Sequence, residues 1–149
     1  MCIQIKPVTA NNLPDILNLK LLKTQQSFIE TPQECLIEAK EYPNFRPVGL
    51  YYNEELIGFA MYGLFQDINS EDRVWLDRFL IDYHFQGKGL GKKMLQALID
   101  HLLEVYDCDK IYLSLYEDNK VALSLYQQFG FTFTGELDTK QEKIMVKMI

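Results

Sequence analysis

The chain has 149 residues, 48% hydrophobic and 24% charged, with a formal net charge of -6. That length and apolar content suit one domain, residues 1–149, with its own core; they argue against a long disordered tail, and no stretch reaches the roughly 20 apolar residues of a membrane span. The acidic balance argues against a nucleic-acid partner and is compatible with a cationic substrate.

Cys2, Cys35 and Cys108 are widely separated and odd in number, and fit neither a disulfide framework nor a zinc spacing; His84 and His101 complete no metal set. The start MCIQIKPVTA lacks a basic segment followed by a long apolar one. The expectation is a cytoplasmic, metal-free protein with reduced thiols.

Ile3 to Val8 alternates like a half-buried strand. Asn11 or Asn12 is placed to cap a helix with Pro14 in its first turn and Ile16, Leu17, Leu19, Leu21 and Leu22 as its apolar faces. TPQE at 31–34 reads as a second helix start, with a Thr cap, a proline at the first helical position and a Glu three residues after the cap; this helix fades near Lys40. Pro47 to Tyr52 and Leu56 to Phe65 form a hairpin across Asn53-Glu54-Glu55. After a polar loop, Arg73 to Ile81 is a further strand. Gly89 to Val105 is a helix, because Leu90, Met94, Leu95, Leu98, Leu102 and Val105 recur at steps of three and four. Lys110 to Leu115 is strand-like, and Asn119 to Phe129 is a short helix stopped by Gly130. Phe131 to Leu137 and Lys143 to Met148 close the chain as a hairpin. This order predicts an α/β (α+β) fold with a mixed, mostly antiparallel central sheet and helices on both faces.

The junction between Ile81 and the long helix carries Gly87, Gly89 and Gly91. The spacing fails the G-x-G-x-x-G dinucleotide pattern and the P-loop pattern alike. Two readings remain. The glycines serve a tight turn, or they uncover backbone N–H groups at a helix N-terminus and make an anion site, helped by Lys88, Lys92 and Lys93.

Gln86-Gly87-Lys88-Gly89-Leu90-Gly91 resembles the Q/R-x-x-G-x-G/A signature of the GNAT family of N-acetyltransferases. A second block, Glu117-Asp118-Asn119-Lys120-Val121-Ala122-Leu123-Ser124-Leu125-Tyr126 followed by Phe129-Gly130-Phe131, is similar to that family's E-x-N-x-x-A-x-x-L-Y-x-x-x-G-F segment. The resemblance covers essentially the whole chain. The stretches GFAMYGLF and VWLDRFLIDYHFQGKGLGKKML resemble, within that family, bacterial spermine/spermidine acetyltransferases.

The resemblance implies acetyl-CoA as cosubstrate, with its pyrophosphate on Gln86 to Gly91 and on Lys92. It implies further coenzyme contacts from Asn119, Ala122 and the strand residues Phe79, Leu80 and Ile81, one of whose backbone N–H groups would face the thioester carbonyl beside a bulge. It places the hydroxyl of Tyr126 near the coenzyme sulfur as general acid; on residue type alone Tyr126 reads equally as a core tyrosine. It places Asp77 where polyamine acetyltransferases carry a Glu that contacts the amine. Alternation along the strand puts Asp77 on one face with Trp75 and Phe79, and the alternative is a surface ion pair with Arg73 or Arg78. Phe28 and Glu30 fall in the region that lines the acceptor channel in this family, while Asp67, Glu71 and Asp72 read individually as solvated surface. Members are often dimers, which makes a homodimer the expected assembly.

Acetylation needs a neutral amine, yet alkyl amines with a pKa of ~10.4 are protonated at neutral pH. A carboxylate that binds the ammonium and takes its proton, directly or through water, answers that need. The expected activity is acetylation of spermine or spermidine. Another amine (a protein N-terminus, a drug, an amino acid) and a non-catalytic acyl-CoA-binding module are the alternatives.

Overall fold

The computed structural model describes residues 2–21, 30–66 and 71–149. Leu22, Phe28 and Asp67 lie outside the described residues. Along the chain come β1 (Ile3–Pro7), α1 (Leu13–Leu17), α2 (Pro32–Glu41), β2 (Arg46–Tyr52), β3 (Glu55–Gln66), β4 (Asp72–Ile81), a single 3-10 turn (Tyr83–Phe85), α3 (Leu90–Tyr106), β5 (Lys110–Leu115), α4 (Lys120–Gln128), β6 (Thr132–Leu137) and β7 (Lys143–Met148). The strands make one sheet in the order β1-β2-β3-β4-β5-β7-β6. Among the described residues the β4–β5 pair is parallel and the other pairings are antiparallel. Helices cover both faces. Met94, Leu95, Leu98 and Leu102 of α3 pack with Tyr126 of α4 on one face, and Ile16 and Cys35 pack with Phe59, Met61 and Leu80 on the other. No helix among the described residues is long and apolar enough to cross a membrane.

Local chemistry explains most boundaries. Thr31 closes a full capping box on α2: its hydroxyl oxygen accepts from Glu34 N at 3.2 Å and Glu34 Oε1 accepts from Thr31 N at 3.1 Å. Gly130, at φ 91°, stops α4, and the N–H of Phe131 donates to Tyr126 O at 3.1 Å. Two expectations fail locally. Asn12 sits at the N-cap of α1, but its side chain turns back to accept from Thr9 N and donate to Pro7 O and leaves the cap unmade. Val105 is 49% exposed, because the α3 stripe continues from Leu102 to Tyr106, a step of four, rather than to Val105.

The detail that shapes the site is a β-bulge. Along β3–β4 the register runs Ala60↔Phe79, Met61↔Arg78 and then Tyr62↔Leu76, which leaves Asp77 with no residue opposite. One extra residue reverses the alternation of faces. Val74 and Leu76 point to the α3 side before the bulge, and Phe79 and Ile81 point there after it. Trp75 and Phe79 therefore face opposite sides, which corrects the expectation that Asp77 shares one face with both. Past the single registered pair Trp75↔Tyr112, β4 and β5 make no further pairing among the described residues, and a cavity lies between their C-terminal ends.

Candidate active site

The glycine loop rests on a built pedestal. Where β4 ends, Asp82 is buried, and its carboxylate accepts from His84 N at 2.9 Å, His84 Nδ1 at 2.7 Å and Lys20 N at 2.8 Å. Burial acts to raise the Asp82 acid, but the backbone donors of His84 and Lys20 outweigh it and hold the group below its ordinary value. Gln86 then donates from Nε2 to Ile81 O at 2.7 Å and fixes the start of the loop. Gly87 and Gly89 adopt φ 77° and 78°, the left-handed region that side chains disfavour. A Cβ added at Gly87, Gly89 or Gly91 would meet nothing within 4 Å. The loop is thus open on its outer side, and it ends at Gly89, the N-cap of the 17-residue α3.

A cavity of about 250 Å³ runs from this loop between the parted strands. Gln86, Gly87 and Gly91 line one end, Phe79, Leu80, Ile81 and Leu115 the sides, and Asn119, Ala122 and Tyr126 the α4 wall. Asp77, Arg78, Glu30, Ser114 and Glu142 line it as well. Of the residues expected to hold a coenzyme, Lys88, Gly89, Leu90 and Lys92 do not line this cavity. Lys88 Nζ lies over the Phe85 ring at 5.7 Å, and Leu90 is 8% exposed in the core.

Tyr126 is 8% exposed, with its ring edge-on to Phe131 at 5.8 Å. Burial raises its phenol well above the ordinary value, so it carries its proton at any physiological pH. Among the described residues its hydroxyl takes no hydrogen-bond partner. Asn119 caps α4 through Oδ1, which accepts from Ala122 N at 3.5 Å.

Asp77 sits against Arg78, not Arg73. Arg78 Nη1 lies 2.5 Å from Asp77 Oδ2, whereas Arg73 pairs with Glu136 at 3.2 Å. Arg78 is the hub of a cluster, with Nε 2.8 Å from Glu30 Oε2 and Nη2 3.2 Å from Glu38 Oε2; its side chain is 11% exposed. The Nε contact is ionic, its N–H not being aligned on the oxygen. Burial pushes the Asp77 acid up to about 6, with Arg78 opposing and the Glu38 and Glu30 charges adding. Glu30 is held on its other oxygen by Lys140 Nζ at 2.6 Å. Burial works to raise Glu30, but Lys140 and Arg78 together leave it below its ordinary value.

Sequence reasoning named Asp77 and Glu30 but not Glu38, Lys140, Ser114, Asp138 or Glu142. Glu142 reaches the cavity from the start of β7, and burial pushes its acid up to about 7. A second cleft of about 380 Å³ adjoins the first, sharing Asp77, Arg78, Ser114 and Glu142 and adding Phe45, Phe65 and Trp75. These residues come from distant parts of the chain, and no local pattern marks them.

A model of the acetyltransferase (GNAT) family matches residues 13–131. The chain is 57% identical to the spermine/spermidine N(1)-acetyltransferase of Bacillus subtilis (strain 168), over 99% of both proteins. Among solved structures it is similar to the spermidine N-acetyltransferase of Vibrio cholerae in complex with CoA and spermine (TM-score 0.70, 19% identity, 97% of this chain and 92% of that one). It is similar also to the ribosomal-protein-S18-alanine N-acetyltransferase of Escherichia coli (TM-score 0.68, 21% identity, 99% and 94%), so the fold itself does not choose the acceptor. With the matched family, the shared fold and a full-length relative agreeing, the chain belongs to the acetyltransferase (GNAT) family.

Proposed function

We propose that this protein transfers the acetyl group of acetyl-CoA to a primary amine of a polyamine, spermine or spermidine, by direct attack of the amine. The observation that carries this reading is one cavity joining an open glycine loop at a helix N-terminus, a buried tyrosine hydroxyl and several carboxylates. The 57% identity to a spermine/spermidine N(1)-acetyltransferase supports the choice of acceptor.

The loop fits the coenzyme. The space that a Cβ at Gly87, Gly89 or Gly91 would enter is free, and the N–H groups at the start of α3 favour an anion such as a pyrophosphate. When bound, acetyl-CoA supplies an activated acetyl thioester. Gln86 to Gly91, with Lys88 and Lys92 adding positive charge, would hold the phosphates; Phe79, Leu80, Ile81, Asn119 and Ala122 would line the pantetheine path. Tyr126 holds a phenolic proton inside the cavity, available to a leaving thiolate.

At the other end Asp77 receives the ammonium. It is shorter by one methylene than the Glu of similar enzymes, so proton loss goes either to Asp77 or through water to a neighbouring carboxylate. Glu30 belongs to the acceptor side in this reading, already engaged by Arg78 and Lys140. The adjoining cleft offers aromatic faces and acids, a surface suited to a chain of cations with apolar spacers. Burial pushes the Cys35 thiol up to about 12, and among the described residues no cysteine lines the cavity, which favours direct transfer over a route through cysteine.

The test is product analysis. Incubation with acetyl-CoA and spermine should give spermine heavier by one acetyl group, and the Asp77→Asn protein should lose this activity far more than it loses affinity for CoA. No acetylated spermine or spermidine from the parent protein would overturn the reading.

A further inference from the structure

The β6–β7 turn carries a pair of acids that the mechanism above leaves without a task. Three donors converge on Asp138. The Ser114 hydroxyl donates to Oδ2 at 2.9 Å, and the N–H groups of Lys140 and Glu142 both donate to Oδ1 at 2.9 Å. The Asp138 charge beside the Glu142 carboxyl helps to raise that acid.

Position gives this pair its meaning. Glu142 lines the cavity that contains Tyr126 and the cleft that contains Trp75, as Asp77 does, so it stands where the two meet. The other acids there are engaged: Asp77 and Glu38 by Arg78, and Glu30 by Arg78 and Lys140. Among the described residues no ion pair joins Glu142 to a cation.

We propose that Glu142 is a further catalytic residue, the carboxylate that takes the proton lost by the attacking amine, with Asp138 as its positioning residue. This rests on the acetyltransferase reading above. In the step an N–H bond of the ammonium breaks and its electron pair stays on nitrogen as the nucleophile. The proton forms an O–H bond on Glu142, directly or across one water, so an ammonium and a carboxylate become a neutral amine and a neutral acid. The proton passes to solvent after the product leaves. The groups facing Glu142 suit the role. Burial, then the charges of Asp138 from the turn and Glu30 ahead of α2, together raise its acid to about 7 against the opposing Arg78 on β4. Asp77 beside Arg78, Glu38 on α2 and Lys140 on the turn complete the surrounding charges. A base whose acid lies near the working pH is both available and strong enough to accept.

The experiment is the pH profile of kcat/KM, over about pH 5–9, for the amine the parent acetylates best. The parent should lose activity on the acid side near neutrality. Glu142→Gln should lower kcat/KM by roughly 10²–10⁴ and abolish that limb. Asp138→Asn keeps an oxygen for the two backbone donors but removes the charge, so the limb should move to lower pH. A merely structural role would lower activity at every pH without moving the limb. Carbon-13 NMR of the Glu142 carboxyl reads the same pair without turnover: titration near neutrality in the parent and lower in Asp138→Asn is expected. Titration of Glu142 in the ordinary carboxylate range, or an active Glu142→Gln protein with the parent's limb, overturns the proposal and leaves acetylation standing. A parent that acetylates no amine overturns both.

Discussion

Replacing Arg78 with methionine probes the charge cluster that shapes the acceptor side. Methionine keeps much of the apolar stem and removes the guanidinium that touches Asp77, Glu30 and Glu38 at 2.5, 2.8 and 3.2 Å. Breaking a buried ion pair costs about 3–5 kcal/mol, because a charge is left desolvated without its partner. The three carboxylates are 21–31% exposed, which points to the lower end, about 3 kcal/mol. With a urea m-value of about 2 kcal/mol/M, the unfolding midpoint should fall by about 1.5 M. The loss should also depend on pH. The folded Asp77 acid, at about 6, lies above its ordinary value, so Asp77 contributes native stability at low pH that is lost as pH rises through that window. Arg78 is the cation that opposes this rise, so without it the window extends upward. The destabilisation should therefore be larger at about pH 8 than at about pH 5. Urea unfolding followed by circular dichroism at both values is the assay. A loss below about 1 kcal/mol, or the same loss at both pH values, would refute the reasoning that Arg78 holds desolvated carboxylates in place.

Tyr126→Phe should reduce kcat by roughly 10²–10⁴ while calorimetric affinity for CoA holds; unchanged turnover would remove the hydroxyl from the chemistry. Gly89→Ala meets no steric neighbour, yet φ is 78°, so it should cost about 1–2 kcal/mol of stability in thermal unfolding and weaken CoA binding; full CoA affinity would mean the loop does not hold the coenzyme. Gly58→Ala would put a Cβ 2.4 Å from Leu80 O and push β3 from β4 near the site, so a loss of about 1–3 kcal/mol is expected by urea unfolding, and wild-type stability would contradict the close approach.

Much of the fold was legible because its signals are local. β5 and β7 have the bounds expected from the sequence, and the capping box of α2 and the glycine stop of α4 act as their residues suggest. What stayed hidden needs a partner to be seen. A bulge is one residue too many relative to the opposite strand, so Asp77 carries no mark of it, and the alternation from Trp75 to Phe79 continues on paper while the faces reverse in space. α1 is shorter than its apolar residues suggest because the chain turns at Asn18, although Leu19 still reaches the core at 8% exposure. The glycine loop and Tyr126 could be named from two motifs. Arg78, by contrast, draws together Glu30, Asp77, Glu38 and, through Glu30, Lys140, and Glu142 takes its environment from Asp138 and Ser114. Such groupings arise from tertiary packing, which sequence spacing does not encode.

The most direct measurement is thiol release from acetyl-CoA with spermine, spermidine, putrescine, lysine, an aminoglycoside and a short peptide, one at a time. Strong turnover with spermine or spermidine, and little with the other amines, is expected. Turnover confined to the peptide, the aminoglycoside or lysine would contradict the acidic cavity as a polyamine site, and no turnover with any amine, CoA still being bound, would contradict acetyl transfer itself.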